Sequence, residues 1–342
     1  MSFNIALNFE DGVTRFIRCN EGETVLDAAY RNQINLPMDC SDGVCGTCKG
    51  SCQQGDYDLG DEYLEDALTE DEAGQGMVLT CQMVPSSDCV IAIPAASTLC
   101  KTGQAEIQGS VTEVNLVSAT AIELKVQADE PLAFLPGQYM NVQVPGTNQT
   151  RSYSFSSLPG ESSFSFLIRN VPGGLMSSWL VGKAKTGDRL TLGGPLGVFY
   201  LRPVARPVLM LAGGTGLAPF LSMLEQLKKT GLEHPVHLVY GVSKDEDLVG
   251  LEALHTFAAE LEQFTFKTVV SSEASDHPNK GYVTHHLDEA PLNEGDVDVY
   301  LCGPPPMVDS VLSYFQQQGV TPHSFHYERF TPSTPALAGE VA

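Results

Sequence analysis

Three cysteines, Cys40, Cys45 and Cys48 in DCSDGVCGTC, constrain this chain more than any other feature. Their spacing is C-x4-C-x2-C, and Cys81 follows in LTCQ. Thiols so close in sequence either pair as disulfides or share a metal centre. The chain has nine cysteines, an odd count. Its start alternates apolar and polar residues and includes Glu10, Asp11, Arg15 and Arg18, without the basic and apolar regions of a signal peptide. The expected compartment is therefore the cytoplasm, where thiols stay reduced and disulfides are disfavoured. A metal centre remains. Gly43 and Gly46 let the loop fold closely around a compact group. Zinc sites favour two C-x2-C knuckles, and only one is present here. Four thiolates at this spacing instead hold a 2Fe–2S cluster. The expected ligands are Cys40, Cys45, Cys48 and Cys81, with Cys52 the nearest rival for fourth place. Cys81 is preferred because it closes a strand-like run. Cys19, Cys89 and Cys100 have no partner at useful spacing and read as ordinary packed or surface thiols.

At 342 residues the chain is too long for one ordinary core. Three segments with different patterning follow one another, with expected bounds 1–100, 105–203 and 204–335. In the first, residues 3–9 and 13–19 alternate like two strands around Asp11-Gly12, and Thr24 to Asn32 reads as a short helix with Val25, Ala28 and Ala29 on one face. Strand-like Met77–Met83 and Val90–Ile93 come later, and 95–104 reads as a linker. The second segment has short strands broken by Gly, Pro and Asn, at 121–127, 138–144, 150–157 and 163–168, with one helix near Leu175–Val181. That pattern suggests an antiparallel barrel. The third alternates apolar runs (Pro207–Leu211, Val236–Tyr240, Phe264–Val270, Val297–Leu301) with helical stretches at 217–229, 250–262 and 305–318. This implies a parallel sheet covered on both faces. The tail after Phe330 reads as disordered.

A net charge of −23 makes nucleic acid or an anionic membrane a poor partner. No run of about 18 apolar residues is present, so no transmembrane helix is expected. Residues 1–100 hold 17 Asp and Glu against Arg15, Arg18, Arg31 and Lys49, a balance of −13. Asp56, Asp58, Asp61, Glu62, Glu65, Asp66, Glu70, Asp71 and Glu72 crowd one stretch. The stretch reads either as a solvated face or as a steering surface for a protein with a basic docking patch.

Further motifs carry a family resemblance. Arg151-Ser152-Tyr153-Ser154 matches the R-x-Y-S signature of the ferredoxin–NADP reductase superfamily, and Gly174-Leu175-Met176-Ser177 matches its G-x-x-S helix start. Arg151 and that helix N-terminus suit a pyrophosphate. Gly213-Gly214-Thr215-Gly216-Leu217-Ala218-Pro219, between a strand and a helix, resembles the superfamily's nicotinamide loop and is not G-x-G-x-x-G. Cys302-Gly303-Pro304-Pro305-Pro306-Met307 resembles its C-G-P-x-x-M, and Glu328 and Phe330 in YERF its terminal E-x-F. The resemblance implies that Tyr153 stacks on the flavin ring, Ser154 bonds near its reactive N5, and an aromatic at Phe330 lies close by. It also implies that Thr215 and Cys302 shape the hydride-transfer site. After the strand at 236–240, Ser243-Lys244-Asp245-Glu246-Asp247 is mainly acidic, which disfavours a ribose 2′-phosphate and predicts NADH.

The cysteine spacing is that of plant-type ferredoxins. The order ferredoxin, flavin segment, nicotinamide segment covers essentially the whole chain, and resembles the reductase components of two-component aromatic-ring-hydroxylating dioxygenases. Similarity is to the benzoate-type members, with anthranilate, toluate and 2-halobenzoate relatives. The resemblance implies a multidomain α+β and α/β fold, made of a β-grasp ferredoxin, an antiparallel flavin-binding β-barrel and a doubly wound parallel-sheet nicotinamide domain. It implies FAD, a 2Fe–2S cluster and NADH as cofactors, and a monomer serving a Rieske-type oxygenase. Plant-type clusters lie near −400 mV and Rieske centres at roughly −150 mV or above, so that transfer runs downhill. Three rivals stand beside this reading. They are a di-iron monooxygenase reductase, a flavohaemoprotein or quinone reductase, and an electron-carrying module followed by an inert C-terminal part.

Overall fold

The computed structural model describes residues 2–11, 14–60, 63–100, 107–132, 134–197 and 199–331. Several expectations fall outside them: Gly12 and Val13 of the first turn, Asp61 and Glu62, linker residues 101–104, the bounds at 105 and 335, and the tail from residue 332. The described residues form two compact units divided between Cys100 and Ile107, with Leu196 and Gly197 grouped with the first.

The first unit contains β1 (Ser2–Phe9), β2 (Thr14–Asn20), α1 (Val25–Arg31), β3 (Lys49–Gln54), β4 (Tyr57–Asp58), α2 (Glu70–Gly74), β5 (Met77–Leu79), β6 (Val84–Pro85) and β7 (Cys89–Ile93). Five strands form a sheet in the order β2-β1-β7-β3-β5, with β1 and β7 parallel, while β4 and β6 pair separately. Thr24 caps α1, its hydroxyl accepting the Asp27 N–H at 3.1 Å. Val25, Leu26, Ala28 and Ala29 of α1 are buried in the same core as Ile5, Leu7, Val78 and Ile91. The run expected as a strand over Met77–Met83 stops at Leu79. The Leu79 carbonyl takes the N–H groups of Gln82 and Met83, and the carbonyls of Thr80 and Met83 take those of Leu26 and Val25. Groups that would have extended a ladder instead satisfy the open first turn of α1. Cys81 therefore lies in a turn past the strand and does not close one.

The second unit opens with β8 (Ile107–Ser118), β9 (Ala121–Ala128), β10 (Tyr139–Gln143), β11 (Thr150–Ser154), β12 (Ser163–Arg169), α3 (Leu175–Gly182) and β13 (Arg189–Leu196). These strands form one six-stranded sheet, β11-β10-β13-β8-β9-β12, and a bridge between Phe155 and Phe166 links its two ends. Phe155 and Phe166 stack inside, and Phe164 meets both rings edge to face. The chain then runs through β14 (Val208–Gly213), α4 (Ala218–Thr230), β15 (Val236–Val242), α5 (Leu251–Glu260), β16 (Phe264–Val270), α6 (Glu289–Leu292), β17 (Asp298–Gly303), α7 (Pro305–Gln318) and β18 (Ser324–Arg329). Its parallel sheet has the order β16-β15-β14-β17-β18. Along β14, Val208, Met210 and Ala212 enter a core with α4 and α5, while Leu209 and Leu211 enter another with α7. Strands buried on both sides read as the continuous apolar runs seen in the sequence. Among the described residues no helix is long and apolar enough to cross a membrane.

Candidate functional site

The cysteine loop is held by its neighbours in the sheet. Cys48 directly precedes β3, and its carbonyl accepts the Thr80 N–H at 3.0 Å, which draws the turn after β5 alongside. The Cys48 thiol donates to Cys81 Sγ at 3.2 Å. Cys40 and Cys45 form the other pair, Cys40 donating to Cys45. Each donor thiol is thereby pushed up and each acceptor pulled down, Cys45 to about 7 and Cys81 in the same direction. Gly43 and Gly46 take φ of 77° and 70°, left-handed turns that suit glycine. Cys45, Cys48 and Cys81 are buried, and Cys40 is half-buried. Among the described residues, no three or more His, Cys, Asp or Glu side chains converge on one metal position. Two thiol pairs suit a two-iron group better than a single zinc surrounded by all four. Cys52 is not brought to this group. It lies on β3, where it bonds with Cys89 and the Gln54 carbonyl.

Three of the other candidate residues meet where the two sheets of the second unit adjoin. Parallel pairing of β17 and β18 sets Cys302 opposite Glu328. Glu328 Oε2 accepts from the Cys302 thiol at 3.8 Å and from the Ser154 hydroxyl, on β11, at 3.2 Å. All three are buried. Tyr153, the neighbour of Ser154, packs with its ring 6.2 Å from that of Phe166, and burial pushes its hydroxyl pKa up. Arg151 folds along its own strand, donating to the Thr150 carbonyl at 2.7 Å and to Gln149 at 3.0 Å. Gly174 is the N-cap of α3. Met176 is buried in the core of the six-stranded sheet, so its backbone is what it offers a ligand. Ser177 Oγ accepts the Val171 N–H at 3.0 Å and donates to the Arg169 carbonyl at 3.3 Å, which ties the helix start to β12.

The glycine turn packs against the turn that follows β17. Space for a Cβ at Gly213 is filled by Met307 and Pro304, at Gly216 by the Cys302 carbonyl, and at Gly303 by Met307. These glycines let the two turns close on each other, whereas Gly214, with φ of 56°, has nothing within 4 Å of its added Cβ. Thr215 is half-exposed beside it. Phe330 donates its N–H to the Gly303 carbonyl at 2.9 Å.

Comparison with known proteins follows the same division. Residues 8–86 match the 2Fe-2S iron-sulfur cluster binding domain, 108–200 the oxidoreductase FAD-binding domain and 210–313 the oxidoreductase NAD-binding domain. The chain is 56% identical over 335 residues to the toluate 1,2-dioxygenase electron transfer component of Pseudomonas putida, covering 97% of this chain and 100% of that one. The chain belongs to the 1,2-dioxygenase electron transfer components. A second member, the 2-halobenzoate 1,2-dioxygenase electron transfer component of Burkholderia cepacia, is 48% identical over 97% of this chain and 99% of its own. Among solved structures, a cytochrome P450 reductase of Amycolatopsis superposes with a TM-score of 0.77 at 31% identity, covering 96% of this chain and 100% of that one.

As an electron transfer component, the chain is a nicotinamide-dependent flavin iron–sulfur oxidoreductase with FAD and a 2Fe–2S cluster as cofactors. Sequence reasoning about this electron transfer component missed three contacts near the candidate site. Thr120 donates to Asp247 Oδ1 at 2.5 Å, tying the β8–β9 turn to the acidic loop after β15. Ser222 of α4 donates to the Ser157 carbonyl at 2.6 Å. The Thr47 hydroxyl donates to Asp39 Oδ2 at 2.6 Å, and burial pushes the Asp39 carboxyl up to about 6. No local motif announced the first two, because their partners lie far apart in sequence. Asp39 was visible only as the neighbour of a cysteine.

Proposed function

We propose that this chain is the NADH-dependent reductase of a benzoate-type 1,2-dioxygenase system, delivering electrons from NADH by way of FAD and the 2Fe–2S cluster to a Rieske-type oxygenase. The observation that carries this reading is the meeting of Ser154, Cys302 and Glu328, which links flavin and nicotinamide signatures in one buried, hydrogen-bonded group. When bound, the cofactors supply hydride donation, hydride acceptance and one-electron carriage. The chain's own residues bind and orient. Cys40 with Cys45, and Cys48 with Cys81, would hold the cluster. Arg151 and the N–H groups at Gly174, Met176 and Ser177 would offset the pyrophosphate charge. Tyr153 would pack on the flavin ring, with Ser154 at its reactive edge and Phe330 nearby. Gly213, Gly214, Thr215, Gly216 and Gly303 would frame the nicotinamide together with Cys302. Glu328, accepting from both Ser154 and Cys302, would hold those side chains in place, and hydride transfer requires no protein acid or base.

This reading keeps three domains, 1–100, 105–203 and 204–335. The first is a β-grasp ferredoxin. The Phe155–Phe166 bridge supports a barrel for the second, and cores on both sheet faces support a doubly wound third. We place the chain in the cytoplasm as a monomer, with no nucleic acid or membrane partner. Its test is the rate at which the purified chain, with NADH, reduces the oxygenases of benzoate, toluate, 2-halobenzoate and anthranilate systems. The benzoate enzyme should be reduced fastest, and the rate should fall as salt rises because screening weakens steering by the acidic first segment. Reduction of none of them would overturn the reading, and a salt-independent rate would remove the steering role.

NADH is the expected donor over NADPH. Lys244, the lone base in the acidic loop, faces Glu246 at 3.4 Å, which leaves little positive charge for a 2′-phosphate. Repulsion of that phosphate by these exposed carboxylates is weakened by solvent, and kcat/KM for NADPH should be lower by about tenfold, about 1.4 kcal/mol. Steady-state kinetics with both nucleotides checks this, and equal values would refute it.

A further inference from the structure

Asp39 precedes Cys40 and is not one of the expected ligands, yet its side chain is turned into the loop they form. Oδ2 accepts the Thr47 hydroxyl at 2.6 Å, and Oδ1 is sealed from solvent without a hydrogen-bond partner. Thr47 stands between Cys45 and Cys48; its backbone N–H bonds to the Cys45 sulfur, and its hydroxyl, the donor to Asp39, lies within reach of that sulfur as well. The Asp39 carboxylate also acts through space on Cys45, opposing negative charge on that sulfur. A carboxylate oxygen closed off from solvent and left unpaired is costly to keep. Asp42, beyond Cys40, is exposed and faces the Cys40 thiol, so solvent screens it.

We infer that Asp39 sets the reduction potential of the iron–sulfur centre, acting as a fixed negative charge, one oxygen of which is closed off from solvent, that keeps the centre strongly reducing. The inference rests on reading Cys40, Cys45, Cys48 and Cys81 as its ligands. Two effects act in the same direction. Adding an electron next to a poorly screened carboxylate is opposed by repulsion. The Thr47 hydroxyl has one proton, and giving it to Asp39 withholds it from the Cys45 sulfur. Net charge and hydrogen bonds to the sulfurs are among the factors that set such potentials. A more reducing centre releases its electron more readily to an acceptor of higher potential. Asp39 is thus a positioning residue for charge and proton, touching no substrate.

The test is a redox titration of the full-length holoprotein at pH 8, followed by electron paramagnetic resonance and visible absorbance. Asp39→Asn keeps the size, removes the charge, and lets an amide N–H face Thr47 so that the hydroxyl proton can turn to Cys45. The cluster midpoint should move positive by at least a tenfold change in the one-electron equilibrium, about 59 mV, while the flavin midpoint stays put. Asp42→Asn, which removes an exposed charge, should give a clearly smaller shift. Asp39→Ser removes the same charge and serves if the amide variant does not hold a centre. An unchanged cluster midpoint in either Asp39 variant overturns the inference, as does an equal shift in Asp42→Asn. Failure of both Asp39 variants to assemble a centre also overturns it, making Asp39 a loop-shaping residue. If the unsubstituted protein gave no iron–sulfur resonance signal, the ligand reading itself would fail, which separates the two failures.

Discussion

Cys81→Ser is expected to abolish the iron–sulfur absorbance and, with it, electron delivery to an oxygenase, while NADH-to-ferricyanide activity persists. Cys81 Sγ is the acceptor in the Cys48 pair, so the substitution removes one of two thiols on that side of the loop. A serine hydroxyl stays protonated where a thiolate is needed, and a centre held by four thiolates is left with three. Oxygenase reduction should fall by more than about 10²-fold, because a preformed ligand set of this kind is largely what binds the metal. Ferricyanide needs only the flavin and nicotinamide segments. These have cores of their own, around Phe155 and Phe166 and around β14, separate from the Ile5–Leu7–Ile91 core that takes in Cys48 and Cys81. Cys52→Ser is the comparison. Cys52 lies on β3 beside Cys89, so its loss should leave the absorbance unchanged. Retained cluster absorbance in Cys81→Ser, with loss in Cys52→Ser, would make Cys52 the fourth ligand.

Much of this arrangement was legible because the relevant forces are local. Apolar runs at 208–211, 236–240 and 264–270 read as buried parallel strands, and each became one. The face of Val25, Ala28 and Ala29 read as a helix stripe and packs as one. Elements with weak local signals were lost. Strand β3, KGSCQQ, lies between β7 and β5, yet its polar residues gave no alternation to read. Helix α2 was hidden inside the acidic stretch, although Thr69 and Glu72 form a capping box whose spacing was there to be read. Strand β18 appeared only as the motif YERF. Cys81 was assigned to a strand because Met77–Met83 reads as one strand-like run, and only the demands of the α1 N-terminus explain why the strand ends earlier. At the candidate site each motif was visible alone. What joins them was not, since Ser154 and Glu328 are 174 residues apart and meet only once both sheets have formed.

The glycine turn offers the sharpest check on how closely that meeting is set. A Cβ at Gly216 would run into the carbonyl oxygen of Cys302, with the carbonyl carbon at 2.8 Å and Gly303 Cα at 3.1 Å. These are backbone atoms of the turn that positions the Cys302 thiol, so no flexible side chain can absorb the intrusion. Gly216 lies outside the left-handed φ region, and the penalty is therefore one of space rather than backbone conformation. Gly216→Ala should push the glycine turn and the Cys302–Met307 turn apart by a fraction of an ångström or more. Displacements near 1 Å at a reacting pair cost about 10²-fold in rate, so hydride transfer from NADH should fall by about that factor with flavin and iron–sulfur spectra intact. Gly214→Ala separates the two explanations. Its φ of 56° makes an alanine strained by about 1–2 kcal/mol, but its Cβ would enter open space. It should lower stability and leave the turns in contact, with a much smaller loss of rate. Stopped-flow reduction of the bound flavin in both variants decides between them. A wild-type rate in Gly216→Ala would mean that the packing of the two turns does not govern where the nicotinamide is presented, and a loss in Gly214→Ala as large as in Gly216→Ala would assign the effect to backbone strain instead.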